Sequence, residues 1–430
     1  MDRLFQVLLL VSTFKAEMKK DSIHNSLILT PYGFETLWFR RFVMKVIHFN
    51  MIQFYMPKIL LLLFICLLLN GCITQFIPQI DEENELIVIQ GILTDQGSPV
   101  TIKLSTSLPL GQKSEAKPLT ECNVTIIDDL GNSIFLSESL PGIYVTQSHG
   151  IVGRSYTLRI KTNKSRNNFT YESFPMTMKP VPLIDSLYYE KRVIRKSFDN
   201  IKGIEECQIY LATYDSENNS RFYRWDYSET WVLRLLFDVP NQTCWISNNS
   251  KKIDIASTVN IREGRIMHHP ITYISNVTDR LRTKYSILVN QYSMNEDEYI
   301  YWEKLQKLTE QIGGLYDIVP ATIPGNIICI ENPDEKVLGY FSVSAISTKR
   351  IFIKEKFEGI IDQYAYCATD TLIGGPEYIG GLGVSVWTLF DTPAVPFVSQ
   401  RIRIFTYTRG CADCTERGTT VKPIFWTDDK

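Results

Sequence analysis

The 430-residue chain has little excess charge, few cysteines and few histidines: 45 Lys and Arg against 47 Asp and Glu, nine Cys and five His. A near-neutral balance lacks the basic surplus that marks a dedicated nucleic-acid binder. Nine scattered cysteines are too few for a disulfide-dense scaffold or a zinc array. The strongest apolar run, Ile59–Leu69, is eleven residues long, whereas a spanning helix needs about 20. No sequence period in the range of about 20–50 residues is evident, which disfavours a solenoid or propeller. What is present is ordinary globular material, 44% hydrophobic, 12% aromatic and 21% charged. That composition excludes a disordered, collagen-like or multi-span membrane protein, and the length suggests two or three domains.

The short apolar run has the length of a secretory h-region. Lys58 precedes it, and Leu69-Asn70-Gly71-Cys72 follows with the spacing of a bacterial lipobox. In that pattern Cys72 is acylated and becomes the first residue of the mature chain. Three acyl chains at about 0.8 kcal/mol per buried methylene hold a protein firmly on a membrane. The expectation is therefore lipidation at Cys72, with residues 56–71 as signal peptide. Residues 1–55 carry no sustained helical or strand periodicity and read as a leader from a misplaced start. Without residues 1–71 the chain holds 37 basic and 43 acidic side chains, so the mature protein is acidic. Export and acidity together leave nucleic acid out of the expected partners. Residues 72–85 read as the lipidated cysteine and a tether that includes the acidic run Asp81–Glu85.

From Leu86 onward the pattern is β. Leu86–Leu93 is rich in β-branched residues and closes on Asp95-Gln96-Gly97-Ser98-Pro99, a turn cluster. Short alternating segments follow at Val100–Leu104, Asn123–Asp128, Ser133–Ser137, Gly142–Thr146, Ser155–Thr162 and Phe169–Ser173. Strands this short and this closely spaced predict an immunoglobulin-like β-sandwich over 86–174. The proline-spaced segment 175–182 reads as a linker. Residues 183–430 read as a larger β-rich domain with a helix near 295–312. That helix is signalled by Ser293 with Glu296 as a capping box, by Tyr299, Trp302, Leu305, Leu308 and Ile312 on one face, and by Gly313 as a stop. Later strands are expected at Leu338–Ser344, Arg350–Lys354, Val384–Phe390 and Ile402–Thr408. The fold class is thus mostly β.

Catalytic patterns are sparse. His149, His268 and His269 are the histidines after Cys72, and none sits in a His-Glu-x-x-His spacing. His268 and His269 read as loop residues ahead of Pro270. Gly383-Val384-Ser385-Val386-Trp387 approaches a nucleophile elbow, but tryptophan replaces the second small residue that the sharp turn needs. The glycines at 374, 375, 380, 381 and 383 make a loop rather than a dinucleotide fingerprint. Asp128, Asp129 and Asn132 miss calcium-loop spacing and fit a hairpin turn. No enzyme activity, metal or cofactor is expected. Cys411-Ala412-Asp413-Cys414 lacks a second Cys-x-x-Cys and reads as structural disulfide chemistry, within the pair or with Cys244, Cys329 or Cys367. Cys207 fits a buried free thiol. Trp225, Tyr227 and Trp231 are the candidate binding aromatics, since ring faces bind with little entropy cost; strand alternation equally fits an aromatic core.

Several of these segments together resemble the domain of unknown function 4249 family of Bacteroidota lipoproteins. They include Leu86–Asp95, Gly150–Leu158, Pro182–Tyr189, Phe222–Trp225, Cys411–Cys414 and Val421–Trp426. The resemblance implies an outer-membrane lipoprotein, surface-exposed or periplasm-facing, often encoded beside a TonB-dependent receptor; it transfers no catalytic residues. The functional expectation is a non-enzymatic accessory or capture subunit of a TonB-dependent transporter, with unknown cargo. The alternatives are a surface adhesin or glycan-binding lipoprotein, and a hydrolase of unrecognised type.

Overall fold

The computed structural model describes residues 86–97, 99–107, 116–163, 168–194, 204–217, 219–261, 264–311, 323–360, 367, 369–373, 387–391 and 402–427. Cys72, together with the leader, signal peptide and tether expected before residue 86, lies outside them.

The first strands are β1 (Ile87–Thr94), β2 (Val100–Thr106), β3 (Asn123–Asp128), β4 (Ser133–Leu140), β5 (Ile143–Thr146), β6 (Ser155–Lys161), β7 (Thr170–Ser173) and β8 (Met176–Thr177). Alternation dictates their faces: Ile87 and Ile89 of β1 and Val100, Ile102 and Leu104 of β2 are all buried, and the polar Thr101 and Lys103 separate the three in β2. Next come β9 (Ile184–Ile194), β10 (Ile204–Tyr214), β11 (Phe222–Arg234), β12 (Thr243–Asn249), β13 (Asp254–Ser257), β14 (Arg265–Ile274) and β15 (Tyr285–Ser293). Helix α1 (Glu296–Gln311) follows, then β16 (Ile327–Cys329), β17 (Val337–Ser344) and β18 (Ile346–Ile353). The chain ends in β19 (Thr369–Ile373), β20 (Trp387–Asp391) and β21 (Ile402–Thr406). The protein is mostly β with an inserted helix.

One sheet runs β16-β7-β6-β3-β4-β5-β2-β1-β17, with β8 on β6. It curls because β4 serves two neighbours, β3 through Ser133–Leu136 and β5 through Ser137–Leu140. Ile89, Ile102 and Tyr144 from one half therefore share a core with Ile126, Leu158 and Tyr171 from the other. The turn between β3 and β4 is set by Asp128, whose Oδ1 accepts the N–H groups of Leu130 and Asn132 at 3.0 and 2.8 Å, while Gly131 takes φ +85°. Arg154 clamps the same turn through Asp128 at 2.9 Å and Asp129 at 2.5 Å. These two carboxylates hold a hairpin and an arginine.

The boundary expected at residue 174 is crossed. Residues 327–344 return to this sheet: β16 pairs with β7 at one end, and β17 lies parallel to β1 at the other. A single later segment so covers both edges that the hairpin strands leave open, and unpaired edges are aggregation sites. Gly339 makes the parallel pair fit, because a Cβ there would lie 1.9 Å from the Ile89 carbonyl oxygen and its φ is +95°. Short-range periodicity holds no trace of a strand whose partners lie 250 residues away, which is why the sequence alone closes the domain early.

The expected linker at 175–182 is also built in. Met176 and Thr177 pair with β6, and Met178 is fully buried. The carbonyls of Lys179 and Pro182 accept from Ser293 Oγ at 2.7 Å and Gln291 Nε2 at 2.8 Å, and that of Pro180 accepts from Ser220 Oγ. Ser293 spends its hydroxyl on this contact and ends β15. The capping box therefore does not form, and the helix starts after Asn295, whose backbone oxygen receives the Tyr299 N–H.

The remaining strands form a second core. Sheets β14-β10-β9 and β12-β11-β15-β18, with β13 on β11, pack their apolar faces around Ile209, Trp225, Tyr285 and Val289. The strip β19-β21-β20 adds Leu389. Two disulfides staple the C-terminal turns: Cys244 of β12 to Cys414, across 170 residues, and Cys367 to Cys411. Cys411 and Cys414 thus bond distant partners rather than each other. Cys122, Cys207 and Cys329 are buried thiols outside both disulfides, and burial pushes the Cys207 thiol up to about 12.

Candidate functional site

The aromatic trio read from β11 does not make a binding face. Tyr223, Trp225, Trp231 and Leu233 all point into the second core. Trp225 Nε1 donates to Gln291 Oε1 at 2.9 Å, and its ring lies 4.3 Å from that of His269. Tyr227 is half-buried, and its hydroxyl meets Thr272 Oγ1 at 3.0 Å across to the facing sheet. The reason is period two: the odd-numbered side chains of this strand face the larger apolar layer, and an indole removes more area from water than any other side chain could.

Two even-numbered side chains, Phe222 and Arg224, meet helix α1. The Arg224 guanidinium sits over two rings, Tyr292 on the neighbouring β15 with its centroid 4.8 Å away and Trp302 on the helix at 4.7 Å. Phe222 meets Tyr299 at 5.0 Å between centroids. The helix is fixed at both ends of this contact: Asn295 Nδ2 donates to Thr177 O at 3.1 Å, and Gln306 Nε2 to Ile253 O at 2.8 Å. On its other side Tyr301 packs on Tyr340 of β17, centroids 4.7 Å apart. So α1 touches the first sheet through Tyr301 and the second core through Trp302.

A cleft of about 340 Å³ opens where these three elements meet. Its apolar wall comes from Tyr301, Trp302 and Leu305 of α1 with Ile92 of β1. Its polar groups are Gln90, Thr101, Lys103, Ser342 and Arg224, drawn from β1, β2, β17 and β11. That volume sits in the range of small-molecule sites, roughly 300–1,000 Å³.

Glu298, one helical turn before Trp302, is fully buried beside this cleft. Trp302 Nε1 donates to its Oε1 at 3.3 Å, and Oε2 has no hydrogen bond. Burial raises the affinity of this carboxyl for its proton, and the nearby Arg224 charge with the hydroxyl of Ser342 only partly offsets it. The Tyr340 phenol is pushed up as well, by burial first and then by the Glu298 charge. The sequence reading placed Trp302 on the helix's apolar stripe and passed over Arg224. The one signal available was an arginine alternating with two large aromatics, a hint that its strand face is covered by something other than water.

Residues 73–350 match the family model described as a domain of unknown function, DUF4249. The chain belongs to this family. The matched span begins one residue after Cys72 and ends within β18, so it contains every residue of the cleft. It stops short of Cys367, Cys411, Cys414 and the Val421–Trp426 segment. No curated protein matches the chain.

The remaining expected site residues fall elsewhere. His268 and His269 lie in strand β14, not in a loop, at an irregularity in its pairing with β10 where His268 takes a positive φ. His269 Nε2 is 3.0 Å from Asp254 Oδ1, while His268 is exposed with its ring 3.7 Å from that of Tyr210. Among the described residues, no group of three His, Cys, Asp or Glu side chains could hold a metal ion. Ser385 and the glycines from 374 to 383 lie outside the described residues.

Proposed function

We propose that this DUF4249 member is a lipid-anchored, non-enzymatic capture subunit that serves a TonB-dependent transporter of the outer membrane. The observation that carries the reading is the cleft under α1, a ligand-sized space lined from both β cores and containing an accessible guanidinium. Cys72 would supply the anchor. Tethering then holds the cleft at high effective concentration near a membrane partner without any further contact. The two disulfides favour an oxidising compartment, as export requires.

The test is made in native membranes. Labelling with an alkyne fatty acid should mark the wild-type chain and leave Cys72→Ser unmarked, and affinity recovery from outer membranes should bring down one TonB-dependent receptor in stoichiometric amount. An unlabelled wild type, or recovery of the protein alone under conditions that preserve other outer-membrane complexes, defeats the proposal.

One observation favours a second reading, a glycan-binding surface protein. Tyr188, Tyr210 and His268 cluster on the outer face of β9, β10 and β14, with the Tyr188 hydroxyl 2.8 Å from His268 Nδ1. His268 takes φ +58°, a costly conformation for a non-glycine residue. Retention on immobilised polysaccharide that Tyr188→Ala abolishes would promote this reading.

A further inference from the structure

Arg224 has an edge that nothing in the described chain uses. Its guanidinium carbon lies 4.8 Å from the Tyr292 ring centroid and 4.7 Å from that of Trp302, and ring faces satisfy charge without taking up N–H groups. Among the described residues those groups meet no acceptor, and no ion pair forms with Glu298 or any other carboxylate. The side chain is nonetheless only half-buried, and it lines the cleft. Guanidinium stays charged at any physiological pH and presents donors in a planar fork that matches a carboxylate.

The surroundings narrow the ligand. Lys103 places a second cation in the lining, while Tyr301, Trp302 and Leu305 offer an apolar wall. Glu298, a helical turn before Trp302, is fully buried with Oε2 unpartnered. The two cations, Arg224 and Lys103, share the site with the nearby acid Glu298, so the lining offers a doubly charged phosphate little net positive charge. A singly charged acid suits the set better.

We propose that the cleft binds a small organic monocarboxylate, its carboxylate edge-on to Arg224 and its apolar body against Tyr301, Trp302 and Leu305. This deepens the capture reading and rests on it. Its test, however, needs no transporter.

Calorimetric titration of the purified full chain with benzoate, benzamide and phenyl phosphate reads the idea directly. Benzoate should bind saturably, and benzamide roughly ten- to a hundredfold more weakly, the ratio expected when a charge-assisted hydrogen bond is lost. Phenyl phosphate should bind no better than benzoate. Arg224→Gln should bring benzoate down to the benzamide level, and Arg224→Lys should keep part of the difference. The benzamide arm uses the unaltered protein, so a variant that folds poorly does not blunt the test. Equal binding of benzoate and benzamide, tighter binding of phenyl phosphate, undiminished benzoate binding by Arg224→Gln, or no saturable heat with millimolar benzoate would each overturn the proposal. Benzoate binding without receptor recovery removes the transporter reading alone. Receptor recovery without benzoate binding removes this inference alone.

Discussion

The two β cores of this protein reach closure by different means. In the first, neighbours in sequence are mostly neighbours in space: β3, β4 and β5 pair in turn through short hairpins. Only residues 327–344 arrive from afar, and they cap both edges. In the second, β11 pairs with β15 and β15 with β18, across long stretches of chain, and Cys244–Cys414 spans 170 residues. Local pairing forms early and cheaply in chain entropy, whereas distant pairing depends on loops being closed first. A locally paired sheet is still not an independent domain when its edges wait for a distant segment.

The largest effect should come from cutting that dependence. A chain ending at residue 182 keeps β1–β8 and loses β16 and β17, so both edges of the sheet stand bare. We expect no cooperative thermal transition from it, with soluble aggregates in analytical ultracentrifugation. A cooperative transition in the isolated segment would restore the self-contained sandwich. A gentler version is Gly339→Val, which places a Cβ against the Ile89 carbonyl in a left-handed backbone conformation. Backbone strain and the displaced parallel strand should together cost about 3–5 kcal/mol in urea unfolding.

The second core has its own weak link. Replacing Cys244 and Cys414 by serine frees a loop of 170 residues, and about 2–4 kcal/mol of stability should go with it. Proteolysis under mild denaturant should then nick the C-terminal turns before the β3–β4 hairpin. Equal susceptibility of both regions would mean that the two cores unfold as one unit, and the contrast drawn between them would fail.

Much of the first core was legible because its signals are local. Alternation in β2, the Asp128–Asn132 turn and the β6 run each carry their structure within ten residues. The helix was legible from its apolar stripe, although its cap was not, since Ser293 found a tertiary partner in the Lys179 carbonyl. The DUF4249 family was readable from scattered segments. What could not be read was register over distance: the return of β17 to β1, the partners of Cys411 and Cys414, and the meeting of Arg224 with Trp302. Trp225 and Trp231 were singled out because they are large and rare. The same size buried them. The candidate site lies on the face of β11 that those residues do not occupy, and it exists only because α1 lies across both cores.

Glu298 sits where the cores meet, near Ser342 of the first and Arg224 of the second. Burial raises its folded-state proton affinity above that of the unfolded chain. The folded protein therefore holds a proton that the unfolded chain releases as pH passes the ordinary glutamate value. Stability is full below that value and falls as pH rises through the raised one. Glu298→Gln cannot ionise, so its stability should stay level across the same window. It should exceed the wild type by about 1–3 kcal/mol above the window, the usual scale for an unsatisfied buried polar group. Urea midpoints measured from pH 4 to pH 8 check this. A wild type that gains stability with pH relative to the variant would place an ion pair between Glu298 and Arg224, and Arg224 would then serve the junction of the two cores instead of a ligand.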